Sequence, residues 1–512
     1  MSLQQAIALI QSEPLKAQQL LDELLALTSS NWQAMYYRAK LFSKQNHFDS
    51  AIELLERAIA LNPAEKELRL SLAIVQHQKG DLDAAIIAYN AALTIDKNCQ
   101  KSQFNLANVY FSLGQLNKAI EFYQQVLQRT PNHHNALNNL STAYYQSNQF
   151  EQAKFYLSQA ISIPRNYSAF NILGMVFYAE SHFEESVLNY LSALEIEKND
   201  PSVWSNLSSC YFEMGRNSEA LNSIETALKL QPHDAEYQLS RCLFLTALKE
   251  PSAEQFIVEL IRRTDTTTYI RNTAFALYPL CLNEKGQSQQ AVAFYNFKQF
   301  IYQATLDLNQ QQRQQLENDI QKSQTLEYEP DGANTHKGRQ TRSLLLDNFD
   351  SVNQLIIAIK ENLKIHFSAL KTLNDDHPFL QKIPEKARIK IWSVLLDSEG
   401  HQNPHMHPKA FLSGVYYLKV PKLPEAHSSA GNIVFGKPEK KLFSEVKPIE
   451  HEVATSTNAL VFFPSYFFHH TIPITHQENR ISIAFDIIPF DERVAVEEGV
   501  SKVFSIFPDS QA

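Results

Sequence analysis

His405, Met406 and His407 stand just ahead of the strand-like run Leu412-Ser413-Gly414-Val415-Tyr416-Tyr417-Leu418, and His469 and Arg480 follow later in the same region. A redox-active divalent iron that must bind both a co-substrate and dioxygen needs a small facial set of protein ligands, with the opposite positions left open. Side chains i and i+2 of a strand share a face, so His405 and His407 can converge at a strand end while His469 arrives from another strand. The apolar run Leu460-Val461-Phe462-Phe463 stops at Pro464 and delivers His469 just beyond its end. Arg480 opens a further strand, Arg480-Ile481-Ser482-Ile483-Ala484-Phe485. A guanidinium fork clamps a carboxylate through two parallel hydrogen bonds. Arg480 therefore suits the remote carboxylate of a keto acid whose other end chelates the metal.

The chain has 17 histidines, so some clustering needs no special cause. His401, His427, His451, His470 and His476 read as ordinary residues, with His470 the nearest rival to His469. Tyr416, Phe462, Phe463, Phe467 and Phe468 read as sheet core, where aromatic residues are favoured.

In this order the residues from about 341 to 490 resemble the iron- and 2-oxoglutarate-dependent oxygenases of the double-stranded β-helix fold, and within them the prolyl-hydroxylase-like branch. The likeness is greatest to a bacterial and phage subgroup with His-x-His-Pro, Ser-Gly-Val-Tyr-Tyr and Phe-Pro-Ser-aromatic signatures. It implies His405 as first ligand, Tyr417 as the tyrosine facing the co-substrate, Gly431 in the hairpin, His469 as distal ligand, and Arg480 with Ser482 as the 2-oxoglutarate clamp. It also implies Fe(2+), with 2-oxoglutarate and O2 as co-substrates. The chain departs from the family at His407, which occupies the place where most of the superfamily has Asp. Either all of His405, His407 and His469 ligate, which is the preferred reading and leaves the metal more positive, or only one of the first two does and a water or anion completes the set. Because the double-stranded β-helix is close to the cupins in architecture, the fold alone does not select iron over another divalent metal.

The histidine region must be carried by something, and the rest of the chain is repetitive. Small residues recur at Ala51, Ala85, Ala119, Ala153, Ser186 and Ala220, in steps of 34, 34, 34, 33 and 34. Seven positions later come Ala58, Ala92, Val126, Ala160, Ala193 and Ala227, while Pro63, Pro131 and Pro232 close turns. Leu55, Tyr89, Tyr123, Leu157, Tyr190 and Ile224 fill the faces between them. This is the tetratricopeptide pattern, a stack of helix-turn-helix units. Asn105, Asn139 and Asn206 fall at one helix position, and side-chain amides can grip an extended peptide by donating and accepting at once. A similar asparagine ladder belongs to the tetratricopeptide arm of the protein O-linked N-acetylglucosamine transferases. Asn at such positions can equally satisfy local backbone.

The expected fold is thus multidomain, an all-α tetratricopeptide solenoid followed by a double-stranded β-helix (jelly-roll) domain. The expected divisions are N-terminal capping helices over 1–30, repeats over 31–248, a divergent repeat and capping helices over 249–325, a polar linker over 326–343, and the oxygenase domain over 344–512. An amphipathic helix from Phe349 to Leu373 should pack on the outside of the sheets, and the segment Leu306 to Lys322 should seal the solenoid end. The loops Pro421 to Ser429 and Lys437 to Phe443 should line the mouth of the site. With 46 Lys+Arg against 55 Asp+Glu the formal charge is -9, which disfavours a general nucleic-acid binder. Cys99, Cys210, Cys242 and Cys281 are widely spaced, as expected of buried thiols in a reducing compartment. No segment reads as a secretory leader or a membrane span, and a cytoplasmic location is expected.

The resemblance and the repeats together imply a dioxygenase that hydroxylates a protein or peptide side chain brought in by the solenoid groove. Two alternatives are a small-molecule or glycan-linked hydroxylase whose solenoid serves assembly, and a non-catalytic scaffold with a degenerate β-helix domain. The substrate, the oxidised position, the reaction subtype and the oligomeric state have no signature in the residues.

Overall fold

The computed structural model describes residues 3–330, 333–373, 376–421, 429–442, 444–474, 479–490 and 502–506. It divides into two compact units, Met1–Met214 and Gly215–Ala512. Among the described residues no helix is long and apolar enough to cross a membrane.

The first unit is a succession of helix pairs. After Leu3–Leu9 and Pro14–Leu27 come Trp32–Lys44 with Phe48–Leu61, Lys66–Lys79 with Leu82–Ile95, Gln100–Ser112 with Leu116–Arg129, His134–Gln146 with Phe150–Ile161, and Tyr167–Ala179 with Phe183–Ile196. The periodic small residues Ala51, Ala85, Ala119, Ala153 and Ser186 are fully buried, since the neighbouring helix passes too close for a larger group. Gly174 is the extreme case. A Cβ there would lie 2.6 Å from the Tyr190 ring. Turns are fixed locally: Gly80 takes φ +90° and Asp81 caps the next helix by accepting from the Ala84 amide at 3.2 Å. The asparagines are used within the stack, Asn139 donating to Asn108 Oδ1 at 3.0 Å, and Asn206 to Asn171 Oδ1 at 3.1 Å.

In the second unit the helical pattern continues through Asn217–Leu230, Ala235–Ala247, Ala253–Arg262, Thr268–Glu284 and Ser288–Tyr295, and then turns into sheet. The strands are β1 (Tyr302–Thr305), β2 (Leu326–Tyr328), β3 (Thr335–Thr341), β4 (Lys386–Gln402), β5 (Leu412–Lys419), β6 (Ile433–Phe435), β7 (His451–Val453), β8 (Ala459–Pro464), β9 (His469–Thr471), β10 (Arg480–Pro489) and β11 (Lys502–Ser505). The larger sheet runs β1-β8-β5-β10-β4-β3-β2, with β11 also on β4, and the smaller runs β7-β6-β9. All the pairings are antiparallel. Two antiparallel sheets of this kind make the expected jelly roll.

The 23-residue helix Asp350–Thr372 buries Val352, Leu355, Ile356, Ile359, Leu363, Phe367 and Leu370, the stripe that its three- and four-residue spacing dictates. That stripe joins the sheet residues Ile389, Ile391, Phe462 and Phe485 in one core. Two segments differ from expectation. Residues 326–343, read as linker for their polarity, supply β2 and β3, which extend the sheet beyond β4. They are polar because little of a strand at the sheet margin is buried: Thr335, Gly338 and Thr341 are inside, and the residues between them are exposed or half-buried. The helix Gln310–Gln321 does not seal the solenoid. Its Leu316 and Ile320 enter the sheet core, and its Asp319 accepts from Ser351 Oγ at 2.6 Å.

Candidate metal centre

The register of β10 builds the site. Arg480, Ser482, Ala484 and Asp486 alternate along one face, while Ile481, Ile483, Phe485 and Ile487 are buried on the other. Across the ladder Ser482 faces Tyr417 of β5 and Val394 of β4, and Asp486 faces Ser413 and Lys390. Gly414 of the Ser-Gly-Val-Tyr-Tyr run is required by packing, because a Cβ there would collide with the Phe485 ring.

His405 and His469 are held by backbone hydrogen bonds between them, His405 N to His469 O at 3.1 Å and His469 N to His405 O at 2.8 Å. His407 N bonds Ser465 O at 3.0 Å. The three side chains come together: their candidate ligand atoms all lie within 4.8 Å of one another. The ring centroids of His405 and His469 are 4.3 Å apart, and His407 is 5.1 and 5.2 Å from them. Each Nδ1 is committed. That of His405 donates to Asn403 O at 2.7 Å and that of His469 to Phe467 O at 3.0 Å. A carbonyl can only accept, so these bonds fix the tautomer and leave the Nε2 lone pairs for a metal. Burial pushes the His405 imidazole down to about 3, helped by the neighbouring His407, and holds His469 well below the ordinary value. The neutral form is the one that ligates.

His407 has a different partner. Its Nδ1 faces both carboxylate oxygens of Asp486 at 2.8 and 2.9 Å, and Ser413 Oγ donates to the same carboxylate at 2.7 Å. The sequence reading missed Asp486, although the alternation that selected Arg480 and Ser482 continues to it. It also missed Asn272, a buried residue of the helix Thr268–Glu284. Asn272 Nδ2 donates to Pro408 O at 3.1 Å, to Ala410 O, and to Ser465 Oγ at 3.2 Å. It thereby ties the loop after His407 to the turn before His469, and nothing in the sequence near the histidines points to it.

Beside the histidines lies a small cavity, lined among others by Tyr417, Ser482, Arg480, Ile433 and Phe463. Arg480 is almost wholly buried, with its carbon Cζ 4.8 Å from the Tyr417 ring centre. Among the described residues its Nε and Nη1 have no acceptor in good geometry, and the Tyr417 hydroxyl has no neighbour closer than this guanidinium to bond with. Burial lowers the Arg480 pKa and raises that of Tyr417. A buried guanidinium with two donors unsatisfied is costly without an anion. The residues therefore fit the carboxylate of a keto acid. Ser482 Oγ reaches Val394 O at 3.4 Å.

The remaining histidines stay out. Strand alternation turns His470 away from His469, His451 stacks on Phe297 at 5.1 Å, and His401 stacks on His336 at 5.2 Å. His427 and His476 lie outside the described residues, as do residues 422–428 and Phe443 of the two expected mouth loops. Gly431 has the positive φ, +81°, that its turn demands.

Two family models match different parts of the chain. Residues 390–486 match the family described as "Putative 2OG-Fe(II) oxygenase". Residues 2–264, just over half of the chain, match the family "Cilia and flagella-associated protein 70 C-terminal domain", and the chain belongs to that family through its tetratricopeptide half. The ciliary role in the name is that of the protein it describes. No curated protein matches the chain. Similar solved structures include a tetratricopeptide repeat protein from Parabacteroides merdae, with 21% identity over 49% of this chain and 98% of that one at a TM-score of 0.41. YrrB, described as a TPR protein with an unusual peptide-binding site, has 19% identity over 36% and 96% at 0.31. Yeast Tom70 has 16% identity over 55% and 59% at 0.39. These likenesses are partial, and the fold rests on the helices and strands themselves. The chain joins tetratricopeptide repeats to a domain similar, over residues 390–486, to that oxygenase family.

Proposed function

We propose that this protein is an iron(II)- and 2-oxoglutarate-dependent dioxygenase that hydroxylates a side chain of a protein or peptide recruited by its repeats. The observation that carries the reading is the combination, in one cavity, of three convergent imidazoles with a buried Arg480, two of whose donor nitrogens lack an acceptor among the described residues. His405, His407 and His469 would hold the iron, and Arg480, with Tyr417 and Ser482, the distal carboxylate of 2-oxoglutarate. When bound, these groups supply the oxidation of an unactivated C–H bond by dioxygen, with 2-oxoglutarate giving up carbon dioxide to become succinate.

The chain's own residues supply position and charge. The carbonyls of Asn403 and Phe467 keep two imidazoles in the ligating tautomer, and Asp486 turns His407 toward them. The Asp486 carboxylate also restores, one bond further out, the negative charge that three neutral ligands lack. Arg480 is shielded from water, where an ion pair is stronger than in bulk solvent. Phe463 and Ile433 complete the apolar wall. Recruitment of a protein partner rests on the repeats, an argument from fold, with Asn105, Asn139 and Asn206 as proposed contacts. The four cysteines are buried and unbridged, which supports a reducing, cytoplasmic setting.

Anaerobic titration with ferrous iron and 2-oxoglutarate should give the weak visible band of the chelate, and admitting oxygen should yield succinate. A folded protein with neither would refute the reading. His469→Ala should lose iron while keeping its helical circular dichroism. Arg480→Ala should raise the 2-oxoglutarate needed for half-saturation roughly 10- to 100-fold, the scale of losing a charged hydrogen-bond pair.

A further inference from the structure

The histidines have a second side. Beyond His405 and His407 lies another, more open hollow, walled by Trp392, Gln402, Asn334, Gln340, Arg342, Lys390 and Asp486. Trp392 and Gln402 belong to both hollows, so the two meet at the imidazoles. The first contains Arg480 and suits the co-substrate. The second is left for whatever is oxidised, and its lining is polar, with Lys390, the Asp486 carboxylate and an Arg342 that has a partner of its own.

The register explains how Lys390 comes to stand there. Lys390 is the neighbour of Asp486 across the β4–β10 ladder, and Trp392 is two residues along on the same face. A lysine beside an aspartate would normally pair with it. Asp486 is instead occupied by His407 and Ser413. Among the described residues no carboxylate pairs with Lys390, whose Nζ stands 5.9 Å from the centre of the Trp392 ring. Trp392 in turn stacks on His407, with ring centroids 5.6 Å apart. The ammonium is therefore two side chains from the candidate metal. Arg342 enters from just beyond β3, and the amides of Asn334, Gln340 and Gln402 border the same space.

We propose that this second hollow is the substrate subsite and that it selects a carboxylate, which Lys390 receives while the neighbouring carbon faces the three histidines. The inference deepens the dioxygenase reading and rests on it. An ammonium offers such a group a mobile point charge. The carboxylate comes either from an aspartyl or glutamyl residue of a protein or from a free small acid.

The test uses the full chain loaded with cobalt(II) and 2-oxoglutarate, and follows proton line broadening of a probe near the paramagnetic ion. The probes are N-acetyl-Gly-Asp-Gly-amide and N-acetyl-Gly-Glu-Gly-amide, their Asn and Gln counterparts, and free N-acetylaspartate. The acidic probes should bind about tenfold or more tightly than the amides, the scale of one charge-assisted hydrogen bond. Lys390→Met should remove most of that advantage, with the chelate still forming. Broadening of the peptides alone assigns a protein residue, and of N-acetylaspartate alone a free acid. Equal binding of acids and amides, no binding of any acid, or a Lys390→Met protein that behaves as wild type would overturn the subsite. Absence of the ferrous 2-oxoglutarate band in the wild-type protein would instead remove the dioxygenase reading, and this inference with it.

Discussion

At the scale of single residues, the candidate site is held by side chains that differ in how visible they are. His405, His407, His469 and Arg480 could be read from spacing because strand periodicity and side-chain type together restrict what they can do. Asp486 lay within the same alternation but looked like an ordinary strand-end carboxylate. Only the folded ladder places it on His407 Nδ1. Asp486→Asn keeps the shape and removes the charge, and it should weaken ferrous iron binding about 10- to 100-fold in a chelator competition. Unchanged affinity would mean that His407 is oriented by something else. Asn272 was illegible for a simple reason: its partners Pro408, Ala410 and Ser465 are far away in the chain, and its own helix reads as part of a repeat. Asn272→Leu strips Pro408 O of its donor and leaves Ala410 O to Ser465 Oγ alone, and iron affinity should drop although the ligands remain.

At the scale of elements, periodicity made the helices legible and polarity hid the marginal strands. The repeat pattern is strict because each small residue faces a neighbouring helix, so single methyl groups matter. Gly174→Ala would push against Tyr190 and should cost about 1–3 kcal/mol in urea unfolding. Loss of less than about 0.5 kcal/mol would show that the two helices separate readily. The helix Asp350–Thr372 carries a different liability. His366 is buried in it, against Tyr302 of β1, and burial pushes its pKa down to about 4. The unfolded chain binds this proton from about pH 6.5 downward and the folded chain only near pH 4. Stability should therefore decline as pH falls through that window, by up to about 3 kcal/mol from this group. Chemical denaturation of His366→Phe at pH 7 and pH 4.5 should show a smaller decline than wild type.

At the scale of the molecule, the second unit extends well before the region where oxygenase motifs begin. Residues 390–486 carry the family match, yet the sheet core includes Phe275, Tyr295, Phe300, Leu316 and Ile320. These residues resemble repeat helices when read locally, and only tertiary packing assigns them to the sheet. A chain beginning at Gly215 should yield a soluble protein that binds iron, whereas one beginning at Leu344, without β1, β2 and β3, should aggregate on expression. Equal solubility of the two would mean that the added strands are dispensable. The strand β1 also sets a timetable. Tyr302 pairs with Phe462, about 160 residues later. At the usual pace of synthesis that interval is roughly 8 to 32 seconds. Throughout it the nascent chain holds a finished row of helices and one strand with no partner to receive it. The order of the elements along the gene thus makes the newborn protein a client for chaperones, and pausing of the ribosome between β1 and β8 would lengthen the exposure.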